Sequence, residues 1–187
     1  MRREDLVKEY EKRWINEGFL SREHEEMRKK AGEKALHHFH RREESSKRIP
    51  RYLEKEFKWQ FDGVKFIGRW DRVDFLENGA VIVDFKASEI KNQTEANRRA
   101  KNSLQMDLYA LSFEKTQNLP LKETRLYFLE TNIVGHAEKG EKERVKAMDS
   151  IRTAEAGIRA QEFQAKPDWH NCNFCEFKTI CPDSYAY

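Results

Sequence analysis

Two aspartates and a lysine sit where a sheet normally supplies only core. The stretch "GRWDRVDFLENGAVIVDFKAS" (residues 68–88) reads as two strands joined at Asn78-Gly79, yet it carries Asp71, Asp84 and Lys86. Asn-Gly is a strong signal for a two-residue hairpin loop. With that loop, Glu77 faces Ala80, Asp71 faces Lys86 and Val73 faces Asp84. Facing residues, and residues two apart, share a side of a sheet, so the three charges point the same way. A four-residue loop keeps that parity and a three-residue loop destroys it. Neighbouring carboxylates repel, and burial pushes a proton onto one of them. A divalent cation removes the conflict, and hard oxygen ligands suit Mg²⁺ or Mn²⁺. A metal polarises a phosphoryl oxygen and acidifies bound water, while a nearby lysine can hold the attacking water. These are the parts required for phosphodiester hydrolysis. The same Asp-x-Lys spacing is also met on solvated strand faces, where Lys86 would be a plain partner of Asp71.

The surrounding pattern supplies a frame for such a site. Residues 1–44 read as helical: Leu6, Tyr10, Trp14 and Ile15 recur near helical spacing, and Ser21 can cap a second helix with Glu23 and Glu25 in its first turn. The stretch 45–50 breaks it. Strands are predicted over 52–61 and 64–76, about a turn at Asp62-Gly63, and over 80–86. Asn92 and Glu95 form a capping pair for one helix over 93–117, with Leu104, Leu108 and Leu111 inside. Residues 124–131 form a buried strand, 133–136 can pair with it, 142–164 form a charged helix, and Pro167 opens a tail. The order implies one domain over 1–187: a helical part (1–50), an α/β core with a mixed sheet flanked by helices (51–164) and a cysteine-bearing tail (165–187).

Bulk properties narrow the class. The net charge of +3 with 37% charged residues is mildly basic, which points only weakly to nucleic acid. No apolar run is long enough for a membrane span, and the charged start lacks a secretory signal core, so a cytoplasmic location is expected. Cys172, Cys175 and Cys181 all lie in the tail. In a reducing compartment three clustered thiols favour a metal or cluster site over disulfides.

At this point the residues resemble a known family. Asp71, then Asp84-Phe85-Lys86, is similar to the PD-(D/E)XK nuclease signature in its RecB-like branch, with "GRWDRVD" and "VIVDFKAS" as its two strand motifs. "QMDLYAL" (105–111) resembles the branch's Gln-x-x-x-Tyr helix, and "CNFCEFKTICP" (172–182) its Cys-x-x-Cys-x5-Cys-Pro element. The helical start, with "GEKALHHFHRRE" and "LEKEF", looks closest to nuclease domains at the C-termini of UvrD/PcrA-type DNA helicases. The resemblance implies a restriction-endonuclease-like core and a metal-dependent DNA nuclease. Asp71 and Asp84 would bind metal, with the Phe85 carbonyl as a further ligand, and Lys86 would be the catalytic lysine. Gln105 and Tyr109, four apart and so on one helix face, would line the site. Glu54 matches a glutamate on the preceding strand that contacts metal directly or through water. Arg98 and Arg99, with Lys101, would contact phosphates.

Two departures bear on activity. The branch often carries a histidine four residues after a glycine in the first helix. Here Gly32 is followed at that distance by Leu36, and His40, one turn on, is the available substitute. Relatives also complete a [4Fe–4S] cluster with a fourth cysteine near the domain start, and no cysteine precedes Cys172. A cluster is therefore not expected. His170 with the three cysteines forms a zinc-compatible set, and the competing expectation is a tail held by Trp169, Phe174 and Phe177, packed over the sheet edge. Three functions follow: an active Mg²⁺/Mn²⁺-dependent DNase coupled to a helicase motor in the parent polypeptide, since no Walker A motif occurs here; a catalytically weak or inactive DNA-binding or docking module; or a stand-alone exonuclease similar to CRISPR-associated adaptation nucleases.

Overall fold

The computed structural model describes residues 2–46 and 48–185, so Lys47, within the expected break, lies outside them. Helices α1 (Arg3–Lys12) and α2 (Arg22–Ser46) precede strands β1 (Tyr52–Phe61), β2 (Val64–Leu76) and β3 (Gly79–Lys86). Helices α3 (Gln93–Asn102) and α4 (Leu104–Thr116) lead to β4 (Leu121–Phe128) and β5 (Ile133–Ala137). Then come α5 (Glu141–Arg159) and the short α6 (Trp169–Asn173). The strands form one five-stranded sheet in the order β1-β2-β3-β4-β5. Only β3 and β4 are parallel, which requires the crossover that α3 and α4 provide. Two compact units are distinguished, Met1–Ala147 and Met148–Tyr187. The sheet and α1–α4 lie in the first, and α6 with the cysteines lies in the second. Among the described residues no helix is long and apolar enough to cross a membrane.

Both faces of the sheet are covered. Val73, Ala80, Ile82, Leu126 and Phe128 pack with Ala96, Ala100, Met106 and Phe113 of α3 and α4. Val81, Val83 and Tyr127 pack on the other face with Phe39 of α2. The alternation through β3 follows from the period of two, and burial on both faces explains its β-branched run.

Local chemistry sets the boundaries. Asp62 and Gly63 both have positive φ, 46° and 81°, as a two-residue primed turn demands. Asn92 Oδ1 accepts the Glu95 amide at 2.9 Å, which starts α3 as the capping pair predicts. The single helix expected over 93–117 is two helices. Ser103 adopts an extended ψ of 112° and its hydroxyl caps the Met106 amide, so a new helix starts there. Leu104 consequently lies 39% exposed instead of inside. The charged helix α5 ends at Arg159, short of the expected 164, and Gln161 beyond it has φ 55°.

The hairpin register also differs from expectation. Leu76 pairs with Gly79, so the loop residues are Glu77 and Asn78, not Asn78 and Gly79. Gly79, at φ 146°, is drawn into β3, and the next amide, Ala80, donates to the Pro120 carbonyl at 2.9 Å. Ties to the β4 entrance thus override the local Asn-Gly preference. The pairing slides by two residues. Asp71 therefore does not face Lys86, nor Val73 Asp84; Val73 pairs with Ile82. A slip of two leaves each side chain on the same face.

Helix α3 seals the edge of the sheet at β5. Gln93 Nε2 donates to the Val134 carbonyl at 2.6 Å, and the His136 amide donates to Asn97 Oδ1 at 3.0 Å. These side chains satisfy edge groups that would otherwise invite pairing with another chain. The approach is so close that a Cβ on Gly135 would stand 2.2 Å from the Ala96 carbonyl oxygen. Gly135→Ala is expected to lower stability by about 1–3 kcal/mol through overpacking, read by urea denaturation.

Candidate active site

The β2–β3 ladder closes with Arg72 opposite Val83. One step further the register sets Asp71 level with Asp84. There the Phe85 amide donates to the Asp71 carboxylate, at 2.9 Å to Oδ2, so an aspartate side chain takes an amide from the neighbouring strand. On the other side, Glu54 comes level with Asp71, between the pairs Leu53–Arg72 and Lys55–Trp70. Glu54 has φ 48°, a left-handed conformation that a non-glycine residue rarely keeps inside a strand. Such a conformation costs on the order of 1–3 kcal/mol and tends to cluster at functional sites. The alternation slips here too. Trp70 and Val73, three apart, both enter the core under α4. A sheet that loses its strict period at Glu54 and Asp71 is re-aimed there, as bulges do.

Asp84 is the buried centre of a polar cluster. It is 2% exposed. Lys86 Nζ lies 2.7 Å from its Oδ2. Gln105, on the first turn of α4, donates from Nε2 to Asp84 Oδ1 at 2.9 Å and accepts from Lys86 Nζ at 2.8 Å. The same Nε2 reaches the Tyr109 hydroxyl at 3.1 Å, one helical turn on. Ser103, by ending α3 and capping α4, is what aims Gln105 at the strand ends.

Burial pushes the Asp84 carboxyl above its ordinary pKa, and the Asp71 charge pushes the same way against Lys86 and Gln105. Burial likewise raises the Tyr109 phenol, helped by the charges of Asp84, Asp71 and Glu54. All three carboxylates therefore act on one ring.

This arrangement fits a divalent cation in part. Asp84 Oδ2 is buried and, beyond its ionic contact with Lys86, has no hydrogen-bond partner. Among the described residues no group of three or more His, Cys, Asp or Glu side chains converges to hold an ion. The side-chain donors at the centre are thus Asp71 and Asp84. Mg²⁺ suits such a set, since it is commonly held by one or two carboxylates plus water and substrate phosphates.

The other predicted residues lie apart. His40 is on α2 with Nδ1 3.4 Å from Glu44, and Glu54 leans toward Arg69, at 3.7 Å. Arg98 and Arg99 are exposed on α3, and Arg99 is turned to Glu95 and to the ring of Phe128. The cysteines are thiols; Cys172 is buried, and His170 rests on the ring of Phe174 at 5.1 Å. As they stand, His170 and the cysteines do not converge on a zinc position. Trp169, Phe174 and Phe177, expected to hold the tail, are 73%, 77% and 67% exposed, so they form no buried core.

Sequence reading missed the buried ion pairs, Lys139–Asp107 at 2.6 Å and the network at Arg72. Arg72, 5% exposed, donates to Asp74 at 2.7 Å and to Glu43 of α2 at 2.6 Å. The "DRVD" segment contains both strand residues, and the period of two places them on the face opposite Asp71. The partner Glu43, far off in sequence, gave no signal.

A mixed sheet thus carries a buried aspartate, a lysine two residues on and a second aspartate on the adjacent strand. Residues 1–182 match the PD-(D/E)XK nuclease superfamily, and the chain belongs to that superfamily. The fold is similar to that of a candidate exonuclease from Eubacterium rectale, with TM-score 0.53 and 13% identity, covering 94% of this chain and 67% of that one. The structure of SSO0001 aligns over 98% of this chain and 97% of its own at 15% identity and TM-score 0.47. Against curated proteins the sequence finds no match.

Proposed function

We propose that this chain is a metal-dependent deoxyribonuclease of the RecB-like branch, hydrolysing DNA phosphodiester bonds with Mg²⁺ or Mn²⁺. The observation that carries this reading is the buried, under-bonded Asp84 carboxylate tied through Lys86 and Gln105 to one cluster. A cation held by Asp71 and Asp84, with the Phe85 carbonyl, would polarise the phosphate and acidify water. Lys86, whose side chain is 34% exposed, would orient a water or steady charge on the phosphate. Gln105 fixes the Lys86 ammonium against Asp84 and keeps Tyr109 in the same chain of bonds. The Asp71–Phe85 bond locks the two strand ends together. Glu54 and His40, the further ligands that the motif resemblance implies, are turned to Arg69 and Glu44.

Attachment to a UvrD/PcrA-type helicase motor and a role in DNA repair belong to the same proposal and rest on the motif resemblance alone. A second reading, a DNA-binding module with little catalysis, is favoured by the missing third side-chain ligand and by Leu36 at the histidine position. Labelled single- and double-stranded DNA incubated with Mg²⁺ or Mn²⁺ separates them. The enzyme predicts cleavage that stops with chelator and falls about 10²–10⁴-fold in Lys86→Ala, the usual span for a proton-handling or water-orienting group. DNA retention with no cleavage in either metal would establish the second reading instead.

A further inference from the structure

Two helices meet at Ser103, and one buried lysine holds the joint. Helix α3 stops at Asn102 and α4 starts at Leu104, so the last carbonyls of α3 lack partners within their own helix. Lys139, two residues beyond the end of β5, supplies them. Its ammonium donates to the Ala100 carbonyl at 2.9 Å, to the Lys101 carbonyl at 3.0 Å and to Asp107 Oδ1 of α4 at 2.6 Å. Those bonds use every proton the ammonium carries. The side chains of Lys139 and Asp107 are 1% and 0% exposed, and Lys146 adds a longer contact, 3.4 Å, to Asp107 Oδ2. A cation also suits the negative end of the α3 dipole.

The choice of acceptors is specific. In a continuous helix the Ala100 carbonyl would accept from the Leu104 amide and the Lys101 carbonyl from the Gln105 amide. Lys139 takes these two carbonyls and so blocks the unbroken helix that the side-chain pattern of 93–117 permits. The lysine is itself anchored, because β5, which leads to it, is bound to α3 through Gln93 and Asn97. Asp107 comes two residues after Gln105, about 200° further round the helix. The ammonium therefore grips the back of the turn whose front carries Gln105 to Lys86 Nζ and Asp84 Oδ1. Buried ion pairs add little net stability over an apolar replacement, and their best-attested use is to fix one arrangement against another.

We propose that Lys139 is a positioning residue for the Asp84–Lys86 cluster: it holds the α3–α4 break and thereby keeps Gln105 aimed at both side chains. The effect on catalysis rests on the nuclease reading; the effect on Gln105 does not.

The test pairs a cleavage cycle in Mn²⁺ with a spectrum in chelator, both on the full chain. Lys139→Met removes the ammonium and keeps the stem. Lys139→Met/Asp107→Leu also removes the carboxylate that the single change would strand, and replaces it where the single variant fails to fold by circular dichroism. Each is made in the unaltered chain and in Gln105→Ala. In the unaltered chain kcat should fall about 10- to 100-fold, the scale of a small misplacement beside reacting groups, with KM little changed. In Gln105→Ala the same change should cost no more than about twofold, since the group it acts through is already gone. Loss of kcat by the same factor in both backgrounds is what a merely structural lysine would give, and it overturns the proposal while leaving the nuclease reading intact. The chelator experiment follows the Gln105 side-chain amide, recognised as the NH₂ pair missing from the ¹H–¹⁵N spectrum of Gln105→Ala. That pair should shift and exchange faster with water in the lysine variants, and an unmoved pair overturns the proposal. A shifted pair in a chain that cleaves no DNA with either metal would instead remove the nuclease reading and leave the positioning role standing.

Discussion

Asp84→Asn is expected to abolish cleavage and, in chelator, to leave the protein at least as stable as the unaltered chain. The two effects share one cause. Asp84 is 2% exposed, and burial together with the Asp71 charge holds its pKa above the ordinary value. A carboxyl with a raised folded-state pKa gives stability that is present below its unfolded pKa of about 3.9. That stability is lost as pH rises through the folded value. At neutral pH the metal-free fold therefore carries the cost of a buried anion that Lys86 and Gln105 only partly offset. Asparagine removes that charge and still accepts from Gln105. Lys86 loses its ionic partner, but its side chain is 34% exposed and can turn to water. Catalysis has no such substitute, since an amide neither holds a cation as a carboxylate does nor balances Lys86; a loss of about 10³-fold or more in rate is expected. Adding Mg²⁺ or Mn²⁺ should raise the melting temperature of the unaltered protein, by about 2.7 kcal/mol of stabilisation at a hundred times Kd, and leave Asp84→Asn unmoved. A variant clearly less stable than the parent in chelator would mean that Asp84 is a structural anion satisfied by Lys86, and the metal-centred reading would fail with it.

The membership of the polar cluster was more legible than the geometry that assembles it. Asp-x-Lys on a β-branched strand and Gln105 with Tyr109 at helical spacing are local patterns, and the structure joins Asp84, Lys86, Gln105 and Tyr109 in one chain of bonds. Asp62-Gly63 and the Asn92 cap also read correctly, because each is decided within four residues. The failures involve partners distant in sequence. Asn78-Gly79 lost to the Pro120 carbonyl some forty residues on. Ser103 was read as helix interior, although its hydroxyl competes for the backbone and starts α4. The common face of Asp71 and Asp84 was inferred through a wrong register that happened to keep parity. What sets Asp71 level with Asp84 is the β2–β3 register fixed at the Leu76–Gly79 end, and the Asn-Gly signal pointed to a different one.

A large purely structural effect is expected at Arg72, on the opposite face of the sheet. Its guanidinium donates Nε to Asp74 and Nη1 to Glu43, joining β2 to the last turns of α2. Burial works against the charge, but the two carboxylates outweigh it and hold the pKa above the usual arginine value. Asp74 is 3% exposed, so Arg72→Met would strand a carboxylate away from water. Breaking a buried pair from one side costs about 3–5 kcal/mol, a large share of the roughly 5–15 kcal/mol that holds a domain together. Glu43, with its side chain 27% exposed, can rehydrate, so Glu43→Gln should cost about 1 kcal/mol or less. The paired variant Arg72→Met/Asp74→Leu removes both charges, and buried pairs replaced by apolar groups of similar volume are often neutral or stabilising. Urea denaturation of the four proteins should therefore rank Arg72→Met lowest, with the double variant recovering most of the loss. Equal destabilisation of the single and double variants would show that the arginine acts by packing α2 through its stem and not by neutralising Asp74. Cleavage by the double variant, measured with Mn²⁺, should stay within a few-fold of the unaltered protein, because the sheet face carrying Asp71 and Asp84 keeps its own packing against α3 and α4.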